Sequence, residues 1–233
     1  RMKKNALFIA LLVIIPAIAY AQDAINPAKK LEHQVGIQVN ELIRQVFNFN
    51  NTGNSNNNPY LVTYSAGLVK SGWGLRVGGG YTVRSFANDN GVNATESTID
   101  AVHLRFGVEK KFQLSEKWTT GVGIDGLYDN DKNNTTSVVR GFDTTTTTTK
   151  SLVTSYGAGT MAWLRFAITP KVLIGTEASF YYRTGFQKEQ VDISKRSQQI
   201  VGKPITNSSS KIDNDLKAGS FNVPVAFYIV IRF

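Results

Sequence analysis

Ten charged side chains, of both signs, stand at alternate positions within apolar segments of the chain. Charges of mixed sign on one face can pair with each other, or they can line a polar path for a solute. Pairing is expected where water is excluded, because breaking a buried ion pair costs about 3 to 5 kcal/mol. We predict that Asp125 and Glu177 pair with arginines such as Arg105 and Arg165. The ten residues are Arg44, Arg76, Arg84, Arg105, Glu109, Asp125, Arg165, Glu177, Arg183 and Arg232.

Residues for covalent catalysis are scarce in this chain. It has no cysteine and two histidines, His33 and His103, whereas a hydrolase needs a nucleophile and a base within hydrogen-bonding reach. The lack of cysteine also excludes disulfides and thiolate metal sites. We therefore expect no enzymatic activity, no cofactor and no metal. A lipid-modifying enzyme is the alternative, and it would require a serine and an acid beside His103.

Two short motifs resemble ligand-binding loops but lack part of the pattern. GVGIDG at 121–126 fits the phosphate-binding spacing of dinucleotide folds, which needs a helix N-terminus directly after it. DNDKN at 129–133 resembles the start of a calcium loop, but Asn134 and Arg140 stand where glycine and a bidentate glutamate are required. We predict small inward-facing residues for the first motif and a polar loop for the second.

The N-terminal residues have the layout of an export signal. Basic residues within the first four positions precede an apolar run at 6–15, and Pro16 and a small-residue pattern at 19–21 follow. This layout predicts a signal peptide over 1–21 and a mature domain over 22–233. A membrane anchor is the alternative, but the run is shorter than the roughly 20 residues that span a bilayer. The net charge of +9 falls to +6 without the three basic residues of the predicted signal, and for an exported chain this excess favours acidic lipid or polysaccharide over nucleic acid.

The elements that must position these residues are eight segments in which apolar and polar residues alternate. Most are ten residues or longer, whereas strands of soluble proteins average about five or six and tilted membrane strands need roughly 9 to 11. We predict an all-β fold, an antiparallel transmembrane β-barrel of eight strands, or of ten if residues 188–217 re-enter the wall. The segments lie near 34–49, 59–70, 73–86, 98–113, 117–129, 151–168, 171–187 and 218–233.

The connections alternate between short turns and longer polar stretches. Short periplasmic turns and long extracellular loops are the plan of outer-membrane barrels. The threonine run at 144–149 is predicted to be an exposed or β-extended loop, with adhesion or glycosylation near Asp143 as its functional interpretation. The lysine-bearing stretch at 188–217 is predicted to extend two strands outward and meet anionic surface sugar, or to be a solvated loop. The short turns are 70–72, 114–116 and 169–171, and the long loops are 50–58, 87–97, 130–150 and 188–217.

The two faces of the segments differ in chemistry. One is apolar, and the other repeatedly carries glycine and charge. A soluble lipocalin-like barrel would place the apolar face inside, whereas aromatic residues near the ends of this face favour a lipid-facing exterior with two girdles. Glu41 and Pro224 fit poorly, and we expect a bulge or an interface position at each. The girdle residues are Trp73, Phe112, Trp118, Phe166 and Phe233 at the short-turn end, with Tyr60, Tyr81, Tyr128, Phe180 and Tyr182 opposite.

The final segment, PVAFYIVIRF, alternates up to a terminal aromatic. With the signal, the eight segments and the tight turns, the chain resembles the small eight-stranded outer-membrane β-barrel proteins of Gram-negative bacteria, OmpA/OmpX-like in architecture. The stretch at 35–50 also resembles the first strand of a porin-like barrel family. The resemblance implies that the barrel-assembly machinery reads a C-terminal signal consisting of Phe227, Ile229, Ile231 and Phe233, with Arg232 turned inward. The absence of a tail predicts no C-terminal peptidoglycan-binding domain.

The expected function follows from this resemblance and from the size of the barrel. Eight strands leave an interior only just wide enough for side chains, so we predict a lumen plugged by ion pairs and a structural or surface-interaction role through the extracellular loops. A small porin-like channel for solutes is the alternative. The expected partners are outer-membrane lipid and lipopolysaccharide, the barrel-assembly machinery and an extracellular ligand, with no nucleic acid.

Overall fold

The computed structural model describes residues 31–39, 59–197 and 206–233, and these residues form eight strands joined by turns. The predicted signal peptide, Glu41, Arg44 and most of the first predicted segment lie outside them. No helix within the described part of the chain is long and apolar enough to cross a membrane. The strands are β1 (Leu31–Gln38), β2 (Val62–Leu68), β3 (Trp73–Asp89), β4 (Asn93–Gln113), β5 (Trp118–Val139), β6 (Asp143–Ala167), β7 (Val172–Ser197) and β8 (Thr206–Arg232).

The strands form one antiparallel sheet that closes on itself. Each strand pairs with its neighbours in sequence, and β1 also pairs with β8, which completes a ring of eight strands. At the closure, His33 and Phe233 exchange two backbone hydrogen bonds of 3.0 and 2.9 Å. The predictions of an all-β antiparallel fold and of eight strands are confirmed. Closure leaves no unpaired sheet edge along β1 and β8 where they meet.

The three predicted short turns are confirmed at one end of the ring. The connections lie at 69–72, 114–117 and 168–171. In the first, Gly72 adopts a positive φ of 70°, and its amide donates to the carbonyl of Leu68 at 2.8 Å. The conformation is one that side-chain-bearing residues rarely adopt, so glycine suits this position.

The predicted long loops at 87–97 and 130–150 are wrong over most of their length, because the strands continue through these polar stretches. The outward extension of two strands predicted for 188–217 is confirmed within the described residues, in β7 and β8. The threonine run at 144–149 belongs to β6 and pairs with β7 throughout and with β5 from Thr145 onward. Threonine is β-branched and favours extended, paired backbone. The low-complexity composition of the run favoured a loop in the sequence analysis, whereas the β-branched side chain of threonine favours a strand. What connects the extended strands is short, at 90–92 and 140–142, and the connection at 198–205 lies outside the described residues.

The expected irregularity at Pro224 is confirmed in the pairing of β7 with β8. Glu177 pairs with Ala226 and Ser179 pairs with Asn222, so three residues of β8, including Pro224, stand against one of β7. Proline cannot donate to the ladder of hydrogen bonds. The bulge therefore accommodates Pro224 without breaking the pairing above and below it.

The apolar face of the sheet lies outside the ring and the polar face lies inside. Ile124 and Phe106 are 60% and 58% exposed, whereas Arg105 and Asp125, the inward neighbours of Phe106 and Ile124 along the strands, are 1% and 0% exposed. This arrangement is the reverse of a soluble barrel, in which the interior is apolar. The interior of this ring is therefore rich in charged, aromatic and glycine residues, with a few buried aliphatic side chains such as Leu173 and Val230 among them.

Candidate functional site: the interior charge network

Six of the predicted inward charges form one buried network in the interior. β3 to β7 each contribute at least one of them, because inward residues alternate along every strand. Three are arginines and three are acids, so the network is formally neutral. Its members are Arg76, Arg105, Glu109, Asp125, Arg165 and Glu177, all at most 9% exposed.

Glu177 is the acid at the centre of this network. Its carboxylate accepts a hydrogen bond from Arg76 at 2.9 Å and bonds from both terminal nitrogens of Arg105. Asp125 lies beside the same two arginines, with Oδ1 3.5 Å from Arg76 Nε and Oδ2 4.0 Å from Arg105. Tyr181 donates its hydroxyl to Asp125 at 2.7 Å. Arg76 also lies 3.9 Å from Glu109, so Arg105 contacts two carboxylates and Arg76 contacts three, and neither buried cation is left without an anion.

Arg165 differs from the sequence-based expectation. Its guanidinium donates to the amide oxygen of Gln34 and lies over the ring of Trp163, 3.9 Å from the ring centroid. The indole of Trp163 in turn donates to Glu109 at 2.9 Å. Arg165 is therefore held by an amide and an aromatic face rather than by Asp125 or Glu177. Alternation identifies the face on which a residue lies but not its partner across the interior.

Glycines stand opposite the largest inward side chains. Gly78 pairs with Arg105, Gly107 with Asp125, and a further glycine with Arg165 across β6 and β7. A Cβ on Gly78 would lie 2.4 Å from Arg105 Nε, and one on Gly107 would lie 2.2 Å from a carboxylate oxygen of Asp125. The missing side chains provide the space in which the charged groups lie flat against the neighbouring strand.

Substituting Gly78 with alanine is expected to destabilise the protein by about 1 to 3 kcal/mol, the usual cost of overpacking. The new methyl group would displace Arg105 from Glu177. Gly79→Ala is the matched control, because its Cβ would meet nothing closer than 3.7 Å. Urea unfolding followed by tryptophan fluorescence measures both variants, and equal stabilities would contradict the close fit at Gly78.

Three tyrosines cover the network within the ring. Tyr60 was expected in the outer aromatic girdle, but it is fully buried, with Arg105 4.4 Å from its ring centroid and the Tyr181 ring at 6.4 Å. Tyr228 donates its hydroxyl to the carbonyl of Tyr60 at 3.2 Å. Tyr181 and Tyr228 share the inward parity of their strands, so alternation could have identified them. Tyr60 shares the parity of the exposed Val62 and Tyr64, so alternation assigned it to the outer face, whereas β2 begins only at Val62.

A second polar cluster lies further along the interior, around Asp129. His103 Nδ1 is 2.8 Å from one carboxylate oxygen of Asp129, and Arg183 Nε donates to the other at 2.8 Å. The hydroxyl of Ser155 also donates to Asp129, at 3.5 Å. A serine and an acid thus stand near His103, but this serine bonds to the carboxylate and not to the imidazole. In this cluster Asp129 pairs with His103 and Arg183, and Ser155 and His103 are not bonded as a nucleophile and its base would be.

The remaining predicted residues are placed as follows. Arg183 bonds to Asp129 as above, Arg232 donates to the carbonyl of Pro170 at 2.9 Å, and Arg84 is exposed rather than interior. Outward-facing Phe227 and Ile229 are exposed, and Ile231 and Phe233 are partly buried.

The motifs at 121–126 and 129–133 both lie within β5, with no helix after the first. Among the described residues, no group of three histidines and acids could hold a metal ion.

Comparisons of this chain with protein-family models, with curated proteins and with solved structures found no match.

Proposed function

We propose that this protein is an integral outer-membrane β-barrel with a plugged polar lumen, which acts structurally and through the strands that project beyond its apolar band. The observation that carries the proposal is the inverted distribution of residues around the ring. Large apolar side chains are exposed on the outside, while six charged side chains are buried inside. Lipid is the solvent in which such a surface is favourable.

The height of the exposed apolar band supports a membrane-spanning role. The alternating exposed apolar residues run from Trp73 to Val83 on β3, from Trp118 to Ile124 on β5, and from Tyr156 to Leu164 on β6, with Phe86 and Val139 as isolated exposed residues beyond them. Including the half-buried Tyr128 and Phe166, each band covers about 11 residues, the length that a tilted strand needs to cross hydrocarbon. Aromatic residues lie at or near both ends of these bands, as in the interfacial girdles of outer-membrane barrels.

The packing of the interior favours a plug over a conducting channel. Arg105, Asp125, Tyr60 and Tyr181 are each at most 1% exposed, so they fill the cross-section between opposite strands. Eight strands enclose little more than such side chains. A solute would have to displace the ion pairs of Glu177, whose disruption is costly.

The projecting strands supply the surface for an interaction role. Beyond the apolar band, β5, β6 and the neighbouring strands carry mostly threonine, serine, asparagine and lysine. Their tips are braced, because Arg140 donates two hydrogen bonds of 2.9 and 3.1 Å to Asp89 of β3. This contact lowers the pKa of the Asp89 carboxyl, so the pair is charged on both sides at neutral pH.

Membrane insertion is tested by adding the urea-unfolded chain to phosphatidylcholine vesicles. We expect a folded form that floats with the vesicles, resists alkaline extraction and runs faster on a gel before heating than after it. Folded protein that stays in solution without lipid would overturn the proposal. Planar-bilayer recording of the inserted protein tests the plug, and reproducible conductance steps would favour the channel instead.

A further inference from the structure

Four lysines form a zigzag on the outer face of β5 to β8, beyond the apolar band. The register places Lys132 opposite Leu152, Lys150 opposite Gln190, and Lys188 opposite Asp213. Successive lysines in the zigzag are therefore diagonal neighbours on adjacent strands, about 7 to 8 Å apart. All four are exposed. We call the set Lys132, Lys150, Lys188 and Lys211 the lysine groove.

The groove is a concave polar surface of defined composition. Its volume is about 490 Å³ and the four lysines line it together with two acids, Glu189 and Asp213. Like charges at diagonal positions repel one another, by about 0.5 kcal/mol per pair even at the dielectric constant of water. Cations outnumber acids in the groove, so its electrostatic balance favours a bound anion with more than one negative charge.

The position of the groove identifies the source of that anion. Lys188 lies two residues beyond Phe186, about 7 Å along the strand, and its ammonium group is 5.7 Å from the centroid of that exposed ring. Lys132 similarly follows Tyr128 by four residues on β5. The groove therefore begins where the aromatic end of the apolar band gives way to polar residues. Lipid headgroups lie at this boundary around a membrane-spanning barrel.

We propose that the lysine groove binds the phosphate groups of a phosphorylated glycolipid headgroup in the leaflet that surrounds this end of the barrel. The inference rests on the proposed membrane insertion. Lysine is suited to it as a mobile point charge on a flexible stem that can reach phosphates at different depths. Leu152 is partly buried between Lys132 and Lys188 and gives the groove an apolar floor beside the acyl chains.

The test uses the full chain inserted in phosphatidylcholine vesicles that contain a trace of bis-phosphorylated glucosamine-disaccharide lipid. Native mass spectrometry of the released protein counts the bound glycolipid. We expect the intact protein to retain the glycolipid. The triple variant Lys150→Gln, Lys188→Gln, Lys211→Gln should bind it on the order of 100-fold more weakly at low salt, because each lysine contributes a factor of about five to the affinity. The dephosphorylated lipid should bind no better to the intact protein than to that variant.

The matched control removes the same number of positive charges at the short-turn end, in Lys70→Gln, Lys117→Gln, Lys171→Gln, and should bind like the intact protein. Equal losses in the two triple variants would overturn the inference in favour of a general charge effect. Full competition by inorganic phosphate would assign the groove to a soluble anion instead. Failure to insert would overturn the membrane proposal itself, and insertion with unselective lipid binding would overturn the groove alone.

Discussion

Replacing Glu177 with glutamine is expected to lower the free energy of unfolding by about 3 to 5 kcal/mol, the cost of breaking a buried ion pair on one side. Glutamine preserves the shape of the side chain but removes the charge that Arg76 and Arg105 share. Three buried arginines would then face two acids. Neither arginine can lose its proton to relieve the imbalance, because the guanidinium remains charged in proteins.

The measurement is urea unfolding of the vesicle-inserted protein, followed by tryptophan fluorescence. Glu96→Gln, at an exposed position of β4, is the matched control and should change stability by less than about 0.5 kcal/mol. The double variant Glu177→Gln, Arg105→Gln should lose less stability than the two single variants lose together, because it removes both members of one ion pair. If Glu177→Gln and Glu96→Gln unfold alike, the interior network does not stabilise the fold.

The faces of the strands were predictable because they depend on one local rule. Side chains alternate with a period of two, so Arg76, Arg105, Asp125 and Glu177 could be assigned to one face without knowledge of their neighbours. The turns were predictable for a similar reason, since serine and glycine at 71–72 and proline at position 170 favour tight reversals locally.

Partners across the interior were not predictable, because they depend on strand tilt and register around the whole ring. Arg165 was expected beside an acid, but register brings Gln34 of β1 to its guanidinium. Tyr60 was missed for a related reason. It lies in the predicted segment 59–70 but before the observed start of β2, so its parity does not give its face. The chain there approaches Gly80, where the carbonyl of Pro59 occupies the volume that a Cβ would need.

The lengths of the projecting strands show the limit of composition as a signal. Polar, repetitive sequence around Thr146 indicated a loop, yet the residues that pair with it on β5 and β7 hold it in the sheet. Once two strands leave the apolar band in register, each further pair adds backbone hydrogen bonds without requiring an apolar face. Pairing therefore continues until a turn signal such as Asn90–Gly91 ends it, with the Asn90 side chain accepting bonds from the amides of Val92 and Asn93.

Placing an arginine at Ile124 distinguishes a lipid-facing surface from a water-facing one. Ile124 is 60% exposed and lies near the middle of the apolar band of β5. In water, a charge at so exposed a position changes stability by about 0.5 kcal/mol or less. In hydrocarbon, an arginine at mid-depth costs about 2 to 4 kcal/mol. We therefore expect Ile124→Arg to lose about 2 to 4 kcal/mol in vesicles.

Phe142→Arg supplies the control for this experiment, because Phe142 is 82% exposed at the tip of the β5–β6 connection, well beyond the band. This substitution introduces the same charge at a position that is more exposed than Ile124, yet it should leave the unfolding free energy unchanged within about 0.5 kcal/mol. The depth dependence is the decisive readout: the cost of arginine should fall from Ile124 to Val122 and then to Trp118, as the substituted position approaches the girdle. A cost that is small and equal at all these positions would mean that water, and not lipid, covers the outer face of the ring.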